Sequence, residues 1–125
     1  MAEVTGIGGV FFKADDADAL RKWYAEKLGF DVQDWGGTQF PLDRDSDGGG
    51  YAVWSPFPAD TKYFEPSDKP FMINFRVDDL DGMLEQLRAA GARVLDRRED
   101  MEGYGGFGYV LDPEGNLLEL WEPAG

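Results

Sequence analysis

The run Phe71-Met72-Ile73-Asn74-Phe75-Arg76-Val77-Asp78-Asp79 alternates between two faces. Phe71, Ile73, Phe75 and Val77 fall on one side of a strand; Met72, Asn74 and Arg76 fall on the other. Asp78 or Asp79 then caps a helix whose apolar stripe is Leu80, Met83, Leu84 and Leu87, and Gly91 ends it. The same order stands in the first half of the chain. A strand is predicted over Val4–Lys13, with Asp15 or Asp16 as cap. A helical stripe of Ala17, Leu20, Trp23, Tyr24 and Leu28 follows, with Gly29 as its stop. Trp23 and Tyr24 are expected in the core. Lys13-Ala14-Asp15-Asp16 therefore corresponds to Arg76-Val77-Asp78-Asp79, and Gly29-Phe30-Asp31-Val32 to Gly91-Ala92-Arg93-Val94.

An internal repeat changes what fold is expected. Each half continues with three predicted strands: Phe30–Trp35, Thr38–Leu42 and Tyr51–Ser55 in the first, Ala92–Arg97, Gly106–Leu111 and Asn116–Glu122 in the second. Pro56, Pro58, Pro66 and Pro70 mark residues 56–70 as a linker that is neither helix nor central strand. Glu99–Gly106 reads as a charged, glycine-rich loop. The expectation is one α+β domain over residues 1–125, built from two tandem βαβββ modules at about 4–55 and 71–122. Side by side they would form an incomplete barrel with helices outside and a cavity inside.

The last strand carries the most unusual residue. It is entered through Asp112-Pro113-Glu114-Gly115, a tight turn with φ fixed at Pro113 and free at Gly115. Leu118 and Leu120 face one side; Leu117, Glu119 and Trp121 face the other. Glu119 is thus a carboxylate aimed into a pocket or a glutamate left on the surface.

Composition narrows the chemistry. The 125 residues contain no cysteine, so disulfides, thiolate metal sites and thiol nucleophiles are excluded. They contain no histidine, the commonest general base and metal ligand. The formal charge of −13 repels nucleic acid and anionic lipid, so neither is an expected partner. No apolar run approaches the roughly 20 residues that span a bilayer, and the acidic start is no signal peptide; a cytoplasmic, membrane-free protein is expected. Asp43-x-Asp45-x-Asp47-Gly48 has the acidic spacing of a calcium loop, but the flanking helices and the closing glutamate are absent.

The chain resembles the vicinal oxygen chelate superfamily of glyoxalase I, bleomycin-resistance proteins and extradiol dioxygenases. Trp23-Tyr24 with Leu28-Gly29-Phe30, then Val77-Asp78-Asp79, then Asp112-Pro113-Glu114-Gly115-Asn116 leading into Glu119-Leu120-Trp121-Glu122-Pro123 carry the resemblance, which covers nearly the whole chain. It implies the glyoxalase-like fold. It also implies four metal-ligand positions, which fall on Gly9, on Trp54 (or Ala52), on Met72 and on Glu119. Only Glu119 is of ligand type, so Ni, Zn, Fe or Mn is not expected. The resemblance further implies a homodimer.

The strand faces turned from the helices would line the cavity with Phe11, Lys13, Trp54, Met72, Asn74, Arg76, Glu119 and Trp121. Such a mixture suits a small organic ligand, cationic or aromatic. Alternatively Glu119 pairs internally with Arg76 or Lys13. Three functions follow: a metal-free small-molecule binder of the bleomycin-resistance kind, a glyoxalase-like lyase or isomerase, or a non-catalytic subunit or regulatory module. The enzyme would use Glu119 as general base, with Tyr104, Tyr109, Lys13 or Arg76 as its acid or oxyanion partner.

Overall fold

A computed structural model describes residues 1–41 and 51–124. The elements are β1 (Val4–Ala14), α1 (Ala17–Leu28), β2 (Thr38–Pro41), β3 (Tyr51–Pro58), β4 (Phe71–Val77), α2 (Leu80–Ala89), β5 (Arg93–Met101), β6 (Gly105–Leu111) and β7 (Leu117–Pro123). The seven strands form one mixed, open sheet in the order β2-β3-β1-β4-β7-β6-β5. The first strands of the two halves, β1 and β4, lie antiparallel at its centre. Each is flanked by a parallel strand of its own half, β3 beside β1 and β7 beside β4. The repeat seen in the sequence is therefore a pseudo-symmetric pair of half-sheets. The calcium-like spacing at 43–48 lies outside the described residues.

Both helices begin as their capping residues dictate. Asp16 accepts the Ala19 N–H at 3.0 Å, and Asp79 accepts the Gly82 N–H at 3.1 Å. Gly29 ends α1 with φ 72°, a left-handed value that costs glycine nothing. α2 packs on β5, β6 and β7. There Val77, Leu80, Met83, Leu84, Val110 and Leu120 form a buried cluster, each side chain contributing about 1.5–3 kcal/mol.

α1 departs from expectation. It rests on β1 and β3 but buries no residue fully, and Trp23 is 50% exposed rather than in the core. Tyr24 alone of the pair turns inward, 4.5 Å from Trp54 between ring centres. Phe30–Trp35 holds no strand; Phe30 instead packs edge-on against Trp54 and Phe40.

The linker starts later than its prolines suggested. β3 runs through Pro56 to Pro58, paired with β1 throughout. Its other neighbour, β2, reaches only Trp54, so beyond that point β3 has a free edge. A proline there deprives no partner of a hydrogen bond. The Pro56 carbonyl turns to that edge and accepts from Arg21 Nη2 at 3.1 Å. The charged stretch Glu99–Gly106 is mostly hairpin, with Glu99 opposite Phe107 and Met101 opposite Gly105. Its acids pair with neighbouring arginines of β5, Asp100 with Arg98 and Glu99 with Arg97, and Arg98 also reaches Asp81 of α2.

Candidate functional site

The sheet face turned from the helices carries a cavity of about 520 Å3. β-Strand alternation sets its walls. Gly9 pairs with Val53 and Phe11 with Ser55 across β1 and β3, so Val53 and Ser55 share the cavity face with Phe11. Trp54 must then point to the other side, where it packs against Tyr24 and, edge-on, against Phe30. β6 and β7 contribute Phe107 and Trp121, whose rings lie parallel within 1° at 6.0 Å. Tyr51 meets Trp121 edge-on at 5.1 Å, and the Trp121 indole N–H donates to the Tyr104 carbonyl at 2.7 Å.

Glu119 lies at the floor, 1% exposed. The register of β4 and β7 sets Asn74 beside it, and Asn74 Nδ2 donates to Glu119 Oε1 at 2.7 Å. Tyr109 stands opposite on β6, and Tyr63 reaches in from the segment between β3 and β4. Their hydroxyls donate to Glu119 Oε2, Tyr109 at 2.8 Å and Tyr63 at 2.5 Å. The two hydroxyls are 2.8 Å apart, and Tyr109 also contacts Glu99 Oε2 at 2.6 Å. Four oxygens thus make four short contacts, while the tyrosines supply two protons. A proton held on Glu119 serves a third contact.

Burial is the main cause of the perturbed acidities. It pushes the Glu119 carboxyl up, against the hydrogen bonds from Tyr63, Asn74 and Tyr109 and the charge of Arg97. It also pushes both phenols up, reinforced by Glu119, so Tyr63 and Tyr109 remain protonated donors. Arg97 stacks over both rings, 4.4 Å from Tyr63 and 4.0 Å from Tyr109, and donates to the Tyr63 carbonyl at 2.9 Å. The arrangement can hold a proton in a dry site and pass it toward half-buried Glu99.

A carboxyl whose folded pKa is raised stabilises the fold in its protonated form. That contribution is full below the ordinary carboxyl range and is lost as pH rises through the raised value. Asp112 acts oppositely: hydrogen bonds from Asn116 hold its pKa down, so its contribution is present at higher pH and lost on acidification. As pH rises above the ordinary carboxyl range the wild-type melting temperature is therefore expected to fall relative to that of Glu119→Gln. Parallel pH profiles for the two proteins would contradict the protonated, buried carboxyl.

Phe11, Asn74, Glu119 and Trp121 of the sequence-derived set line the cavity; Lys13, Trp54, Met72 and Arg76 do not. Lys13 sits 5.9 Å over the Phe64 ring. Met72 is fully buried against Phe64, Tyr109, Leu111 and Leu117. Arg76 is wedged against Gly6 and Gly8. Neither Lys13 nor Arg76 pairs with Glu119, whose partners are neutral. Tyr63 and Glu99 were missed, since a proline-rich linker and a charged loop give no periodicity to follow. The adjacent aromatics Tyr63-Phe64 inside that linker were the available signal.

The metal positions implied by resemblance also separate. Trp54 faces α1, Met72 is core, and Gly9 offers no donor. Both Glu119 oxygens already accept hydrogen bonds. Among the described residues no group of three or more Asp or Glu side chains gathers to hold a metal. The residues present do not fit a divalent ion at this floor.

An open, duplicated sheet with outer helices and an inner cavity defines the vicinal oxygen chelate architecture. The glyoxalase-like domain model matches residues 9–121, and the chain belongs to that family. No curated protein matches it. Among solved structures it is similar to methylmalonyl-CoA epimerase from Mycobacterium tuberculosis, at 24% identity and TM-score 0.62, over 98% of this chain and 90% of that one. A single-site variant of the Streptomyces coelicolor methylmalonyl-CoA epimerase, in complex with 2-nitronate-propionyl-CoA, is similar at 22% identity and TM-score 0.70, over 98% and 100%. A glyoxalase/bleomycin resistance protein/dioxygenase superfamily member from Vibrio splendidus 12B01 follows at 13% identity and TM-score 0.56, over 98% and 99%. These likenesses are of fold. Among the described residues, no helix is long and apolar enough to cross a membrane.

Proposed function

We propose that the chain binds a small, flat organic molecule with aromatic character in this cavity, and that it does so without a divalent metal. The observation that carries the reading is the cavity itself. Phe11, Trp35, Tyr51, Tyr104, Phe107 and Trp121 supply aromatic walls, and a few polar groups converge at the floor. The donor set around Glu119 supports the metal-free part. The epimerase structures above concern acyl-CoA compounds, which carry several phosphates. A chain of charge −13, with Glu99 on its cavity, disfavours such a polyanion and favours a neutral or cationic ligand.

One observation favours a second reading, a metal-free lyase or isomerase. Glu119 is a buried carboxyl of raised pKa in hydrogen-bond contact with two phenols, which is the environment of a general acid–base. In that case turnover would be unaffected by chelator and abolished by Glu119→Gln. A filled, non-catalytic cavity is the third outcome.

Native mass spectrometry with elemental analysis, on protein purified without chelator, tests these together. The expected result is an organic adduct, no stoichiometric Ni, Zn, Fe or Mn, and a mass of twice 13.9 kDa. The two-fold pair is part of the proposal, supported by the exposed apolar side chains Val10 and Trp23 on the helix-bearing side. Stoichiometric metal would overturn the metal-free reading, and monomer alone at micromolar concentration would overturn the pairing.

A further inference from the structure

Among the described residues that line the cavity, the charged types are Arg21, Glu99 and Glu119. Glu119 holds a proton at the floor. Arg21 is already engaged: it donates to the Gly36 and Pro56 carbonyls and pairs with Asp18 at 2.8 Å. Glu99 is engaged on one oxygen only. Tyr109 Oη lies 2.6 Å from its Oε2, and Arg97 Nη2 lies 3.4 Å from the same atom. Among the described residues Oε1 has no partner, and the Glu99 side chain is 43% exposed.

Arg97 does not cancel this charge on the cavity side. Its guanidinium lies over the Tyr63 and Tyr109 rings and donates to the Tyr63 carbonyl, and Arg97 does not line the cavity. The cavity neighbours of Glu99 are aromatic instead. Register sets Glu99 opposite Phe107 on β6, and Phe107 opposite Trp121 on β7. The three residues form one row across the cavity face. Neighbouring strands are about 4.8 Å apart, so a flat ring lying along Phe107 leaves a group on a one-carbon arm within reach of Glu99. A carboxylate beside aromatic rings attracts a cation both by charge and through the ring quadrupole.

We propose that Glu99 is the specificity determinant of the cavity. Its Oε1 accepts from a primary or secondary ammonium group carried on an aromatic ring that lies along Phe107. This assignment rests on the cavity being a ligand site and narrows its ligand to an arylalkylamine.

The test compares 2-naphthylmethylamine, protonated at pH 7, with 2-naphthylmethanol, its neutral counterpart of the same shape. Titration calorimetry is run in 0.15 M salt, which screens charges beyond about 8 Å. The wild-type protein is expected to bind the amine about tenfold more tightly, as a charge-assisted hydrogen bond requires. Glu99→Gln keeps the size and an acceptor for Tyr109, and should bring the two affinities within about threefold at a melting temperature that confirms folding. Asp100→Asn removes the same charge from the next residue, which pairs with Arg98 and does not line the cavity. It should keep the full preference. Equal wild-type affinities would overturn the amine assignment and leave the cavity reading standing. Binding of neither compound at millimolar concentration would overturn both. A preference that survives Glu99→Gln, or that Asp100→Asn abolishes as well, would overturn the role of Glu99. A crystal structure of the wild-type protein with the amine adds a check that needs no variant. A nitrogen farther than about 4 Å from both Glu99 carboxylate oxygens overturns the assignment.

Discussion

Glu119→Ala is expected to lower folding stability by about 3–5 kcal/mol, the range for removing one member of a buried, paired polar group. The reason is what it leaves behind. The Tyr63 hydroxyl and Asn74 Nδ2 each lose their carboxyl acceptor in a site with almost no access to water. Tyr109 keeps Glu99, so its loss is smaller. For a chain of this length the melting temperature should drop by about 10–20 °C. Glu119→Gln keeps the volume and is expected to cost about 1–2 kcal/mol. Its amide oxygen can keep Asn74 Nδ2 while its amide nitrogen takes the tyrosine side. Equilibrium urea unfolding of the three proteins checks the ranking. A cost below about 1 kcal/mol for Glu119→Ala would mean that the four short contacts do not hold the fold together.

Why was the position of Glu119 legible in the sequence while its partners were not? The period-two pattern of β7 and its Asp-Pro-Glu-Gly turn place Glu119 and Trp121 on one face, opposite Leu118 and Leu120. The repeat of strand, capped helix and strands then says that a sheet covered on one side has a second, open side. The face of β3 was assigned wrongly at Trp54, because which residues turn inward depends on the parallel register with β1, which no local pattern encodes. Lys13 and Arg76 stand on the right face, yet long side chains can leave a cavity while their Cα atoms border it. Tyr63 comes from irregular chain, and its approach to Glu119 depends on Phe57 and Phe64 packing around it, at 5.4 and 6.3 Å between ring centres. Face and alternation are local properties; partner choice across a cavity is a tertiary one.

Trp121→Ala separates the two tasks that this floor performs. The indole is 3% exposed, lies parallel to Phe107, and ties β7 to the β5–β6 turn through its N–H and the Tyr104 carbonyl. Truncation removes that packing and leaves a hole, so a stability loss of about 3–5 kcal/mol is expected. It also removes an aromatic wall of the cavity, so a planar aromatic probe such as 2-quinolinone should bind at least about tenfold more weakly at a temperature where the variant is folded. Trp121→Phe keeps a ring and loses only the N–H contact. It should cost about 1–2 kcal/mol of stability and leave binding nearly unchanged. Urea unfolding and calorimetry on the same two variants give four numbers that no purely structural role can reproduce. If Trp121→Ala weakens folding but leaves the 2-quinolinone affinity intact, the probe does not use this wall, and the cavity has to be read from its Tyr51 and Trp35 side instead. If both variants lose affinity equally, the Tyr104 tether, rather than the ring, controls the shape of the site.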